Sequence, residues 1–133
     1  MQWSDSYSIG IDAIDDQHQA LIGGITVLED SLLDPDSESR TRTLKTAIQG
    51  LNDYARMHFT VEETVMEILG YPGAQAHQRQ HHAFFDYLAD LEQRVATGNV
   101  DANEVITFLR DWLVRHIMHE DRAYADDFKQ RLG

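Results

Sequence analysis

Apolar residues recur at intervals of three and four along four stretches of this chain. That spacing places side chains on one face of an α-helix. The stretches predict helices over about 14–33, 39–69, 73–96 and 101–128. Because the connections between them are short, the pattern favours an all-α fold: an antiparallel up-down-up-down four-helix bundle formed by a single domain, residues 1–133.

Turn-forming residues separate these stretches. Residues 1–13 are predicted to form an extended N-terminal arm, in which Gly10 interrupts any helix. Pro35 lies between the first two helices, Gly70 ends the second, and Gly98 ends the third.

Residues that can bind a metal interrupt the apolar faces. His58 and Glu62 are four residues apart, as are His77 and His81, so each pair points in one direction on a helix. Burying many titratable groups without a cation would cost several kcal/mol each. The pattern therefore predicts a metal site in the core of the bundle. Its candidate ligands are His18, His58, Glu62, His77, His81, His116 and Asp121.

Two acids compete for the position on the fourth helix. Glu120 follows His116 by four residues, whereas Asp121 follows by five and would point about 140° away on an ideal α-helix. Asp121, however, shares its face with apolar residues, and Glu120 shares its face with Asp127. The neighbouring residues favour Asp121, and spacing alone favours Glu120.

Two further histidines lie on polar faces. His82 shares its face with Gln78 and Asp86, and His119 shares its face with charged residues. Both are predicted to be surface residues outside the site.

Composition excludes several classes of function. The chain has 133 residues, with 23 acidic and 11 basic side chains and a net charge of −12, which argues against nucleic acid and anionic membranes as partners. The lack of cysteine excludes disulfides, iron–sulfur clusters and thiolate zinc sites. No apolar run approaches the roughly 20 residues of a membrane span, and the first residues lack the regions of a secretory signal. We therefore expect a cytoplasmic protein, and the acidic charge slightly favours a monomer.

Four motifs together resemble the hemerythrin family, in particular its single-domain bacterial members. The first is W-x3-Y-x-I-G-x3-I-D-x2-H, which runs from Trp3 to His18. H-F-x2-E-E begins at His58, H-x3-H at His77, and H-x4-D at His116. Each motif is weak alone, but all four in this order, with these helix lengths between them, are highly specific.

The resemblance implies a cofactor of two non-haem iron ions, bridged by carboxylates and an oxo or hydroxo group. It assigns His77, His81 and His116 to one iron, His18 and His58 to the other, and Glu62 and Asp121 to both. This ligand set leaves one position open on the iron with two histidines, if both irons are octahedral.

The resemblance also implies an apolar oxygen pocket. Leu113 and Ile117 would line it, with Trp112 nearby, and Phe59 flanks His58. Packing in the core explains Phe59 and Trp112 equally well.

These inferences predict reversible dioxygen binding for storage, delivery or scavenging, and a protein that is not an enzyme. One alternative is a sensor module for oxygen or nitric oxide. Another is a di-iron peroxidase or oxidase, which would need a polar group near the open position; Tyr124 is the only candidate, and core packing accounts for it as well.

Overall fold

The computed structural model describes residues 1–132 and shows four antiparallel helical rods, which confirms the predicted all-α four-helix bundle. The first three rods are α1, Asp12–Leu32; α2, Ser37–Leu69; and α3, Ala74–Thr97. The fourth rod consists of α4, Ala102–Arg115, a π-helical turn, His116–Asp121, and α5, Arg122–Leu132. The predicted ends lie within two residues of these bounds, except that the last helix continues past 128 to Leu132.

Side-chain caps and left-handed glycines mark the ends of the helices. The Asp36 side chain accepts a hydrogen bond from the Ser39 N–H at 3.0 Å at the start of α2. Asp101 caps α4 in the same way. Gly70 and Gly98 follow α2 and α3 with φ of 66° and 75°, a conformation that glycine adopts without steric cost.

The predicted N-terminal arm contains a short 3₁₀ turn, Asp5–Tyr7, and lies against the first and last helices. The buried Asp15 carboxylate accepts the Ile9 N–H at 2.9 Å, and the Lys129 ammonium donates to the Ile9 carbonyl oxygen at 2.8 Å. Gly10 has φ of 79°, and its missing side chain leaves room for Lys129. The arm is therefore anchored on both sides of Ile9.

The apolar faces of the rods meet in one core. α1 packs against α2 and α4, and α2 packs against α3. Among the helices that the structure describes, none has a stretch apolar and long enough to cross a bilayer. Fully buried core residues come from every rod and include Leu28, Ile48, Leu88 and Leu109.

Candidate metal centre

Each of the four rods contributes polar side chains to one buried cluster. None of these side chains belongs to a residue more than 4% exposed. Each of these polar residues lies on the apolar face of its helix, and burial of that face brings the polar group into the core as well. The structure brings together all seven candidate ligands: His18 from α1, His58 and Glu62 from α2, His77 and His81 from α3, and His116 and Asp121 from the π-helical turn.

Three histidines converge on one side of the cluster, and we call His77, His81 and His116 the three-histidine group. Their ligand atoms and those of both carboxylates all lie within 4.8 Å of one another. The Nε2 atoms of His81 and His116 are 3.0 Å apart. Asp121 Oδ1 is 2.8 Å from Nε2 of His77 and 3.1 Å from Nε2 of His116. Nitrogen atoms that face each other at this distance are arranged as ligands of one cation.

The remaining two histidines, His18 and His58, form the two-histidine group with the same carboxylates. Asp121 Oδ2 lies 2.9 Å from Nε2 of His18, so the two oxygens of this carboxylate face different groups. Glu62 is arranged in the same way: its Oε1 contacts Nε2 of His58, and its Oε2 is 3.8 Å from Nε2 of His77. Both carboxylates therefore span the two groups, as bridging ligands do.

Many of the buried atoms lack hydrogen-bond partners within the described part of the chain. Although these atoms lie close to one another, neither Nε2 of His18, His58 and His77 nor either oxygen of Glu62 or Asp121 forms a hydrogen bond of regular geometry with another described residue. Orphaned polar atoms at this depth are rare in proteins and costly, and here they all point into one space. Imidazole and carboxylate are suitable ligands for iron. The residues present therefore fit a pair of metal ions.

The cluster shifts the proton affinities of its members strongly. Burial alone would lower the pKa of His18, but Asp121 and Glu62 outweigh it and raise the pKa to about 9. Burial and the neighbouring His116 lower the pKa of His81 to about 2. Although burial opposes it, His116 and the other imidazoles hold the pKa of Asp121 well below its usual range. Asp121 is thus ionised, as metal binding requires, whereas His18 carries a proton at neutral pH that a metal ion would have to displace.

The π-helical turn explains which acid of the fourth rod enters the cluster. A π-helix forms hydrogen bonds between residues five apart, and here the Arg122 N–H donates to the carbonyl oxygen of Ile117. Residues His116 and Asp121 therefore share a face despite their spacing of five. Asp121 is fully buried, whereas Glu120 is half-buried and lines a surface groove. The spacing argument for Glu120 assumed a regular α-helix, and that assumption was wrong.

Sequence reasoning missed three polar neighbours of the cluster. The side-chain oxygens of Gln17 and Gln80 lie within hydrogen-bonding distance of Nδ1 of His58 and His116, respectively. A Glu63 oxygen is 3.7 Å from Nδ1 of a third imidazole, that of His81. A signal was present, since each glutamine directly precedes a candidate ligand in the chain. His82 and His119 are exposed, in agreement with their predicted surface positions.

Four apolar residues were predicted to line an oxygen pocket. Leu113 and Ile117 are buried, with exposures of 2% and 0%. Trp112 stacks on His116, with ring centroids 4.6 Å apart and planes at 11°. Phe59 stacks on the ring of another member of the three-histidine group, His81, at 3.7 Å and 5°. Both aromatic rings thus support the three-histidine group, and their part in a pocket stays a prediction.

Comparison with protein families matches residues 9–127 to the family described as Hemerythrin HHE cation binding domain. The chain is 35% identical over 131 residues to bacteriohemerythrin of Stenotrophomonas maltophilia, covering 98% of this chain and 83% of the relative. Bacteriohemerythrin of Methylococcus capsulatus is 32% identical, with 94% of each chain covered. A crystal structure of wild-type hemerythrin superimposes with a TM-score of 0.82 at 29% identity, covering 95% of each chain.

Proposed function

Because this chain belongs to the hemerythrin family, whose members bind dioxygen at a non-haem di-iron centre, we propose that it binds dioxygen reversibly for storage, delivery or scavenging. The observation that supports this most directly is the pair of carboxylates, Glu62 and Asp121, each shared between two buried groups of imidazoles. The comparisons also support the prediction that the chain is not an enzyme.

We assign the ligands as the two groups suggest. The three-histidine group would hold one iron and the two-histidine group the other, with Glu62 and Asp121 bridging them. When bound, the di-iron centre supplies the electrons that reversible dioxygen binding requires. The two-histidine group has one imidazole fewer than the three-histidine group, so the iron that it would hold could take one further small ligand, which we propose to be dioxygen.

The apolar residues of α4 and the π-helical turn would exclude water from the site. Reversibility requires that water be kept from the site, because a dry environment suppresses side reactions. Leu113 and Ile117 are buried on either side of His116 in the sequence and would form this apolar wall. Trp112 and Phe59 would hold the rings of His116 and His81 in place by stacking on them.

Oxygen titration of the iron-loaded protein tests this proposal. The protein is loaded anaerobically with ferrous iron, exposed to air and then placed under vacuum while its absorption spectrum is recorded. We expect two irons per chain, and a charge-transfer band that appears in air and disappears under vacuum over many cycles. Irreversible oxidation in the first cycle, or catalytic consumption of added peroxide, would contradict the proposal and favour the peroxidase or oxidase alternative.

Nitric oxide is a second small ligand that the same iron would accept. Titration of the ferrous protein with nitric oxide should give one equivalent bound per chain.

We also propose that the chain acts as a monomer. Sedimentation of the loaded protein should give the mass of a single chain, 15.2 kDa before the metal is added.

A further inference from the structure

Two glutamines approach the outer nitrogen atoms of imidazoles in the cluster. Oε1 of Gln17 is 2.6 Å from Nδ1 of His58, and Oε1 of Gln80 is 3.0 Å from Nδ1 of His116. Both glutamines are half-buried, between the cluster and the surface. We infer that Gln17 and Gln80 are positioning residues, which fix the orientation and tautomer of His58 and His116 so that their Nε2 atoms face the metals. This inference depends on the di-iron function proposed above.

The hydrogen-bond chemistry of the amide determines the tautomer. An amide oxygen can only accept a hydrogen bond, so the imidazole nitrogen that faces it must carry the proton. A neutral imidazole has one N–H, and a proton on Nδ1 leaves a lone pair on Nε2. The Nε2 atom of His116 is 3.0 Å from Nε2 of His81, and the Nε2 atom of His58 contacts Oε1 of Glu62. Each glutamine therefore makes its histidine ready to bind a metal.

The positions of the glutamines in the chain explain how they reach these rings. Gln17 precedes His18 on α1, and Gln80 precedes His81 on α3. Successive residues on an α-helix point about 100° apart, so when the histidine faces the cluster its predecessor faces the neighbouring rod. Helix α1 thus supplies His18 to the two-histidine group and supports His58 of the same group through Gln17. Helix α3 supplies His81 to the three-histidine group and supports His116 through Gln80.

The supporting residues divide evenly between the two groups. Gln17 supports a member of the two-histidine group, and Gln80 supports a member of the three-histidine group. In contrast, Nδ1 of His18 has no partner among the described residues, and Nδ1 of His81 is 3.7 Å from Glu63. A neutral amide orients the ring without adding negative charge to a cluster that already contains two carboxylates. Partners of this kind commonly set metal affinity.

Removing each amide, with a matched control, tests the inference. Gln17→Leu and Gln80→Leu remove the acceptor, and Gln19→Leu and Gln75→Leu change exposed glutamines on the same two helices. Affinity for Fe²⁺ is measured anaerobically by competition with a chelator. We expect the first pair to lose about 10- to 100-fold in affinity and the control pair to stay within about twofold of the parent. Thermal unfolding of the metal-free variants checks that they fold, and losing one hydrogen bond should lower the melting temperature by only a few degrees.

Rescue and spectroscopy separate positioning from packing. Gln17→Glu and Gln80→Glu keep an oxygen acceptor of the same shape and should restore the affinity that the leucine variants lose. In the zinc-loaded parent, nuclear magnetic resonance should show slowly exchanging Nδ1 protons on His58 and His116. Each should exchange faster in the corresponding leucine variant.

The two proposals fail in different ways. A parent protein that binds fewer than two Fe²⁺ ions per chain would contradict the di-iron function itself. A parent that binds two, with glutamine variants that match their controls, would overturn only the positioning inference. The same conclusion would follow if glutamate failed to restore affinity, or if Nδ1 of His58 and His116 carried no proton in the zinc-loaded parent.

Discussion

Glu62 shows at the level of one residue why this cluster requires cations. Both of its carboxylate oxygens are fully buried and accept no hydrogen bond of regular geometry from the described residues. An isolated carboxylate in this position would cost several kcal/mol. The imidazole nitrogens around it can either carry a proton or offer a lone pair to a metal ion. Metal ions satisfy both types of group simultaneously, and so the stability of the core and the binding of metal are linked.

Removing one imidazole from the three-histidine group should prevent stable loading of two metals. We expect His77→Ala to retain fewer than two irons per chain after desalting, because one ligand is lost and no exposed side chain can take its place in the buried cluster. His82→Ala is the control, since His82 is exposed five residues further along α3. Elemental analysis of both variants provides the measurement. Loss of metal from His82→Ala would contradict the placement of that residue outside the site.

Shortening Leu113 should admit water to the centre. Leu113→Ala removes buried apolar volume three residues before His116, so we expect the oxygenated protein to autoxidise faster than the parent. Leu109→Ala is a matched control one turn earlier in the fully buried core. Both changes should lower the free energy of unfolding by about 2–5 kcal/mol. Equal autoxidation rates in the two variants would exclude Leu113 from the pocket wall.

The π-helical turn is the element on which the bridging arrangement depends. It adds one residue to a turn of the fourth rod, so that Asp121 faces inward beside His116 while Glu120 lies near the surface. π-Helical turns are less favourable than regular α-helix and occur mostly at functional sites. Here the turn directs a carboxylate inward, and it does so at the expense of regular α-helical hydrogen bonds at this point of the rod.

Two isosteric substitutions compare these acids directly. Asp121→Asn removes the charge that faces both groups and should reduce metal loading below two ions per chain. Glu120→Gln removes a charge of the same type one residue earlier and should leave loading unchanged. Metal content after dialysis, determined together with the helical signal in circular dichroism, distinguishes lost ligation from lost folding. A stronger effect from Glu120→Gln would indicate that the fourth rod is rotated relative to this structure.

Two glycines, Gly50 inside α2 and Gly70 directly after it, should change the free energy of unfolding in opposite directions when replaced by alanine. Gly70 ends the helix with φ of 66°, so Gly70→Ala should lower the free energy of unfolding by about 1–2 kcal/mol. Gly50 lies inside the helix, and an added Cβ there would meet nothing within 4 Å. Gly50→Ala should therefore raise the free energy of unfolding by about 1 kcal/mol. Urea unfolding of the two metal-free variants measures both changes, and shifts of equal sign would contradict the assigned helix end.

At the scale of the whole molecule, the cluster makes the stability of the metal-free protein depend on pH. Asp121 and Glu62 raise the pKa of His18 from 6.5 to about 9, despite its burial. The stability that His18 contributes is fully present below pH 6.5 and is lost as pH rises through 9. The pKa of His116 is raised by Asp121 against the effect of burial, so its contribution has the same sign.

We therefore expect the free energy of unfolding of the metal-free protein to fall by about 3 kcal/mol between pH 6.5 and 9. Iron-loaded protein should lack this fall, because Nε2 of His18 then binds metal instead of a proton. Chemical unfolding at a series of pH values, with and without metal, tests both statements. A flat profile for the metal-free protein would show that His18 is not ion-paired with Asp121.

The order and ends of the helices followed from the sequence alone because their causes are local. Apolar residues at spacings of three and four specify which face of a helix is buried, and Gly70 and Gly98 specify where helices end. The candidate ligands could be selected for a related reason. Histidines and acids on an apolar face must enter the core along with the residues around them.

Other features were decided only by the tertiary structure. The π-helical turn that directs Asp121 inward has no reliable local signal, since it depends on packing on both sides of the rod. The division of the Asp121 carboxylate between two groups, the support from Gln17 and Gln80, and the stacking of Phe59 on His81 all join residues from different rods. Such contacts depend on the rotation and height of one rod against another. Periodicity within a single helix constrains neither quantity closely.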